Sequence, residues 1–251
     1  MRKLSAALLA VMLFALMMPA CAEETPLRGF DAHDGYVYLT LGSFPQTAEG
    51  EEQPILWRVL QAEDGRAYLV SEYVLFASPV HHDDKEYIAF GGDFAQTDLS
   101  ALLNGDFARD AFTEEELALI VDTPDLGRLF LLSREDLQNP DFGMNTDKAR
   151  RAWGTEYALK NIAPYELPYE ALFQYMAKFG GHSPYWTRSQ SKTSNYGANC
   201  TKQGGNIGWI RVVVADEGVR PACYLDLTAA QVVGGSGTMD NPYQIGAKEA
   251  E

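Results

Sequence analysis

The stretch PILWRVLQAEDGRAYLVSEYVL, residues 54–75, constrains the fold more than any other part of the chain. Ile55, Trp57 and Val59 alternate with Leu56, Arg58 and Leu60, which is the two-residue period of a strand with one face buried. Asp64-Gly65 then supplies the dipeptide that turns a tight hairpin, and Ala67, Leu69 and Ser71 carry the return strand. A chain built around such a hairpin needs further strands or helices to cover its apolar face. Trp57 is expected to be a core residue of that face.

The first residues, MRKLSAALLAVMLFALMMPACAEE, place Arg2 and Lys3 before an uncharged run from Leu4 to Ala22, the layout of a secretory signal peptide. Ala20-Cys21-Ala22 fits a signal-peptidase site, so residues 1–22 are read as a leader, with Glu23 as the new N-terminus. The rival reading lipidates Cys21 and would bring the chain to a membrane surface, but Met18 is a poor match to the Leu usual there. Residues 23–35 read as a linker and 36–246 as a single domain, with 247–251 a frayed tail. The net charge of −15 becomes −17 once Arg2 and Lys3 are gone. Such a surface repels nucleic acid and keeps an exported protein dispersed.

Along the domain, GYVYLTLGSFPQ alternates as a strand that Pro45 ends, and FASPVHHDDKEYIAFGGDFAQ reads as a solvated loop. TDLSALLNGDF predicts a helix capped by Thr97 or Asp98 and stopped at Gly105. In FTEEELALI, Thr113 and Glu116 form a capping box. RLFLLS predicts a buried strand that runs into a capped start at Ser133 and Asp136. PYEALFQYMAKFGG predicts a helix with Leu172, Phe173, Met176 and Phe179 on one face. The stretch from Tyr185 to Leu227 returns to strands, and GGSGTMDNPYQIGAKEAE reads as a closing loop and frayed end. The fold class is therefore α+β, with antiparallel strands at both ends of the chain and helices inserted between.

Three groups of residues carry a resemblance: LTLGSFPQ with PILWRVL, LLNGDFARDAFTEEELALI, and YWTRS followed by EGVRPACYL. Together they resemble an uncharacterised family of secreted and surface domains from Gram-positive bacteria, similar to the C-type-lectin-like fold of formylglycine-generating enzymes. The resemblance covers Tyr36 to Leu227. It implies a secreted or cell-surface location, a C-type-lectin-like domain, and a Val219 strand that returns beside the Tyr36 strand. It also implies structural roles for Trp186, Arg188 and Arg220; a buried Arg220 would need a carboxylate or several carbonyls as partners. Thr187 departs from the family, where Leu is usual, and so do Cys200 and Cys223. The fold would make the two cysteine stretches neighbouring strands, from which a Cys200–Cys223 disulfide is expected, worth about 3 kcal/mol.

Chemistry is sparse. Formylglycine-generating enzymes use closely spaced cysteines with copper, and iron-binding relatives a histidine cluster; Cys200 and Cys223 do not have that spacing. His81, His82, Asp83 and Asp84 are adjacent, which seldom suits one metal ion, and His33 and His182 stand at no ligand-like spacing from them. No catalytic residue, metal site or cofactor is expected. The run from Ser189 to Trp209 is rich in Ser, Asn, Gly and Tyr, a composition shared by turns and recognition loops. The related fold implies that this region faces ligand. Tyr196, Asn199, Trp209 and Arg211 are thus the candidate ligand-binding residues of a non-catalytic binding or adhesion module, for a saccharide or a protein outside the bacterial cell. The alternative is a copper- or iron-dependent oxidase.

Overall fold

The computed structural model describes residues 27–31, 35–84, 86–87, 93–162 and 182–248. The leader, Cys21, His33, Lys85 and the helix expected over 168–181 lie outside the described residues. The chain is α+β, dominated by strands with a few short helices.

The hairpin forms from β1's two followers: β1 spans Val37–Pro45, β2 Glu52–Glu63 and β3 Arg66–Ser71. Asp64 and Gly65 both adopt positive φ, 50° and 74°, as a tight two-residue turn requires. Shorter strands follow: β4 Phe76–Ala77, β5 Phe130–Leu131, β6 Ala152–Trp153, β7 His182–Ser183 and β8 Tyr185–Gln190. The last are β9 Gly197–Thr201, β10 Ile207–Arg211, β11 Gly218–Val219, β12 Pro221–Asp226, β13 Ala230–Gly234 and β14 Tyr243–Ala247. One sheet has the order β13-β14-β1-β2-β3-β12-β5 and a second the order β10-β9-β8-β11-β4, with β6-β7 as a small pair.

The tail read as a closing loop is instead the β13–β14 hairpin, and β14 pairs in parallel with β1 through Leu39 and Tyr243. The two ends of the chain therefore do meet, but not through the Val219 strand. Val219 belongs to β11 and pairs with Phe76, while β2 and β3 separate β12 from β1. Between β11 and β12 the chain crosses from the smaller sheet to the larger at Arg220-Pro221. This accounts for a cation and a proline in an otherwise strand-like run: Pro221 is the first residue of its strand, where its missing amide costs least.

Helical segments occupy the middle of the chain. The side chain of Thr97 accepts from the Ser100 amide and caps α1, Asp98–Leu102. Gly105 does not stop this helix. A π-helical turn over Leu103–Phe107 carries it into α2, Ala108–Ala111, and buries both Leu103 and Phe107. Thr113 and Glu116 form the expected capping box at the start of α3, Glu114–Ala118. The other oxygen of Glu116 accepts from the Gly42 amide at 3.0 Å, tying α3 to the irregularity in β1. Gly42 has φ 71°, and a Cβ there would stand 2.6 Å from the Ala111 carbonyl, so only glycine fits. Ser133 and Asp136 bond reciprocally, each backbone amide donating to the other's side chain. α4 is Asp147–Arg150 and α5 Glu156–Ile162.

One apolar cluster joins both sheets to the helical segment, with Leu39, Trp57, Phe130 and Leu225 of the larger sheet meeting Trp186 and Ala198 of the smaller. Trp57 donates its indole N–H to the Leu41 carbonyl and Trp186 to the Ser78 carbonyl, both at 2.8 Å, so neither ring leaves a polar atom unsatisfied in the core.

Candidate functional site

β10 is the edge of the smaller sheet, and its outward face carries two of the candidate residues, Trp209 and Arg211. Trp209 pairs with Asn199 and Arg211 with Gly197 across β9 and β10. Being two residues apart, Trp209 and Arg211 share a face. Trp209 is 45% exposed and Tyr196, in the turn before β9, 41%. The Arg211 guanidinium lies 6.0 Å above the Tyr196 ring and pairs with Asp84. Tyr196, Trp209 and Arg211 thus form one exposed patch with Asp84 at its border.

The patch stands on a fixed frame. At the tip of the β9–β10 hairpin, Arg150 donates to the Gly205 carbonyl at 2.7 Å and Arg151 to the Gly204 carbonyl at 3.1 Å. The Val212 carbonyl accepts from the amides of Val80 and His81, which brings Asp84 within reach of Arg211. Buried Tyr87 donates its amide to the Asn195 carbonyl and its hydroxyl to the Arg188 carbonyl, holding the turn that presents Tyr196.

Asn199 does not join the patch. It is only 2% exposed, and its amide nitrogen donates to the carbonyls of Ser189 and Gln190 while its oxygen accepts from Arg134. Its bonding capacity is used by the backbone of β8, so it shapes the sheet.

The expected Cys200–Cys223 bridge is absent: both cysteines are free and buried. Cys200 sits in β9 between Trp186 of β8 and Gly208 of β10, whereas Cys223 sits opposite Leu69 of β3 in the other sheet. The crossing at Arg220-Pro221 sends the two stretches into different sheets. Burial pushes both thiols well above the ordinary value, Cys200 further through the neighbouring Glu217 carboxylate. At neutral pH and with no metal bound, both are thiols and not nucleophilic thiolates.

Glu217 was not visible as a special residue in the sequence. It is 4% exposed, its Oε1 has no hydrogen-bond partner among the described residues, and burial pushes its carboxyl up to about 7, with Lys202 opposing. Nothing about one acid in VVVADEGVR signals this.

Of the other residues singled out, Arg188 pairs with Asp136 at 2.8 Å, donates to the Leu131 carbonyl and lies over the Phe130 ring. Arg220 is 1% exposed. It donates to the Ser71 carbonyl at 2.7 Å and to the Tyr185 hydroxyl at 3.3 Å, and stacks on the Tyr185 ring. Among the described residues it has neither the carboxylate nor the several carbonyls expected of it, only one carbonyl and one hydroxyl, and its Nη2 has no acceptor. His81 is fully buried beside Asp98, at 3.5 Å, so the histidine loop is not wholly solvated; His82, Asp83 and Asp84 are exposed. No group of three or more metal-ligating side chains occurs among the described residues.

Residues 126–227 match a family described as a domain of unknown function (DUF6273). The match runs from just before β5 to just after β12 and includes the whole β9–β10 patch. It ends at Leu227, where the resemblance read from the sequence also ends, but leaves out β1 to β4. No curated protein and no solved structure matches the chain.

Proposed function

We propose that this chain is a non-catalytic recognition module that works outside the bacterial cell, with Tyr196, Trp209 and Arg211 as its binding surface. Trp209 is the observation that carries the reading. A large aromatic side chain stands nearly half exposed on an edge strand, beside a second exposed aromatic and a cation, on a hairpin whose tip carbonyls accept from the Arg150 and Arg151 side chains. Rigid aromatics with an adjoining guanidinium recur where binding energy is concentrated, because they lose little freedom on contact. The surface suits a saccharide ring or a flat protein epitope. Export through residues 1–22 belongs to this proposal. So does a C-type-lectin-like arrangement, which the meeting of β1 with β14 and the separate, site-bearing smaller sheet support. The oxidase alternative has weaker support: its two cysteines lie in different sheets.

Binding of wild type, Trp209→Ala and Arg211→Ala to a glycan array and to a panel of immobilised host-surface proteins tests the reading. A specific signal lost in both variants is expected. Variants that bind as wild type does would remove the surface from consideration. Copper or iron retained stoichiometrically and lost with Cys200→Ser would favour the oxidase.

A further inference from the structure

β10 is the outer strand of the smaller sheet, and its backbone is paired on one side only. The Lys202 amide donates to the Asn206 carbonyl and the Val212 amide to the Tyr196 carbonyl, both at 3.0 Å, which makes Gly208 and Ile210 the residues whose backbone bonds β9. In an antiparallel ladder the residues between them turn their amides and carbonyls the other way. The N–H and C=O of Ile207 and Trp209, and the N–H of Arg211, therefore point away from the sheet, and among the described residues none of these groups has a partner. The Arg211 carbonyl is taken by the Val214 amide at 3.1 Å.

Proteins ordinarily blunt such an edge by keeping the strand short, by a bulge, or by charge. Among the outer strands of the two larger sheets, β4 and β5 hold two residues each, and β13 is interrupted by a register shift between Val232 and Gly234. β10 keeps an unbroken register with β9 from Ile207 to Arg211 and contains no proline or lysine. Its one charge, Arg211, is met by Asp84. This edge is thus left open to a further strand.

We propose that the β10 edge takes up an extended, basic polypeptide segment of a partner protein as an added strand, so that the module recognises protein and not saccharide. The inference rests on the β9–β10 face being the binding surface and names what that surface binds. Donors and acceptors repeat along the edge every second residue, about 7 Å apart, which is the repeat of another strand's backbone and not of a sugar's hydroxyls. Main-chain bonds supply the attachment, and the exposed side chains supply the preference. A residue of the added strand opposite Trp209 stands about 5 Å away on the same face, where the stem of a lysine or arginine covers the indole and its cation meets the ring. The net charge of −15 draws a basic segment and repels both an acidic one and a second copy of this chain.

The test pans a phage-displayed library of random dodecapeptides on the immobilised full chain and measures the enriched peptides, resynthesised, by biolayer interferometry. Saturable binding of lysine- or arginine-containing peptides is expected, weakening as salt rises. Single N-methylation along the peptide should weaken binding about tenfold at every second position and little between, because only alternate amides face β10. The change is made on the peptide, so the fold of the protein is untouched. Hydrogen exchange at the amides of Ile207, Trp209 and Arg211 should slow in the complex.

No enriched peptide, or acidic peptides only, overturns the proposal. So does N-methylation without a two-residue period; if Trp209→Ala still removes that binding, the face remains a binding surface but not by strand addition. Periodic binding that leaves exchange in β10 unchanged and survives both Trp209→Ala and Arg211→Ala would place the strand on another edge and overturn the β9–β10 surface as well. A dimer in sedimentation that protects the same β10 amides would make a second copy the occupant, against the proposal.

Discussion

Trp209 lies across Gly197. A Cβ on residue 197 would stand 2.6 Å from the indole Cε3 and 3.2 Å from the Ile210 carbonyl, so the ring rests where a neighbouring strand would ordinarily carry a side chain. Gly197 therefore determines how the exposed indole is presented. Gly197→Ala is expected to tilt the ring, change the protein's tryptophan fluorescence and weaken ligand binding several-fold, with a stability loss of about 1 kcal/mol. Unchanged fluorescence and binding would show that the ring orientation does not depend on this contact.

Glu217 makes stability pH-dependent in the direction opposite to most carboxylates. Its carboxyl is raised from 4.5 to about 7, so between these values the folded state binds the proton that the unfolded state has released. Its contribution is fully present below pH 4.5, declines as pH rises and is lost above about 7, by an amount on the order of 3 kcal/mol. Glu217→Gln should flatten this window and raise the melting temperature at pH 8. Chemical denaturation of both proteins at pH 4.5, 6 and 8 checks the sign.

Arg58 and Glu72 form a two-pronged pair, with Nε and Nη2 each 2.7 Å from a carboxylate oxygen, and both side chains are nearly buried. Glu72→Ala strands the Arg58 cation and should cost about 3–5 kcal/mol in a urea titration. Replacing both by Met and Leu should recover most of that loss, because the cost lies in the unpaired charge.

Arg220 sits at the crossing between the sheets, held by one carbonyl, one hydroxyl and an aromatic face. Arg220→Ala should lower the melting temperature by several degrees without any ligand, since it empties a fully enclosed site. A melt unchanged within a degree would show that the side chain is not part of the framework.

The thiols of Cys200 and Cys223 should resist iodoacetamide in the native protein and react completely in denaturant without reductant. Recovery of a Cys200–Cys223 linked peptide from unreduced protein would contradict their placement in separate sheets.

Local signals in the sequence determined the elements that depend only on neighbouring residues. The Asp64-Gly65 turn needs two positive φ values and flanking alternation, and the Thr113–Glu116 box needs a hydroxyl and a carboxylate three apart; both are readable without knowing what lies across the fold. Tyr196 and Trp209 stood out in a run of composition that turns and recognition loops share, and only the family resemblance assigned that region, with Arg211, to a ligand-facing side. Tertiary structure alone decided what depends on distant partners. Gly105 carries a local stop signal, yet burial of Leu103 and Phe107 on either side drives the helix through it. β14 becomes a strand because β1, some 200 residues earlier, offers it an edge. Asn199 has the chemistry of a ligand contact but meets the carbonyls of Ser189 and Gln190 first. Which sheet a strand enters is set by long-range packing as well, and so the crossing at Arg220-Pro221 separated two cysteines that the family resemblance had placed on neighbouring strands.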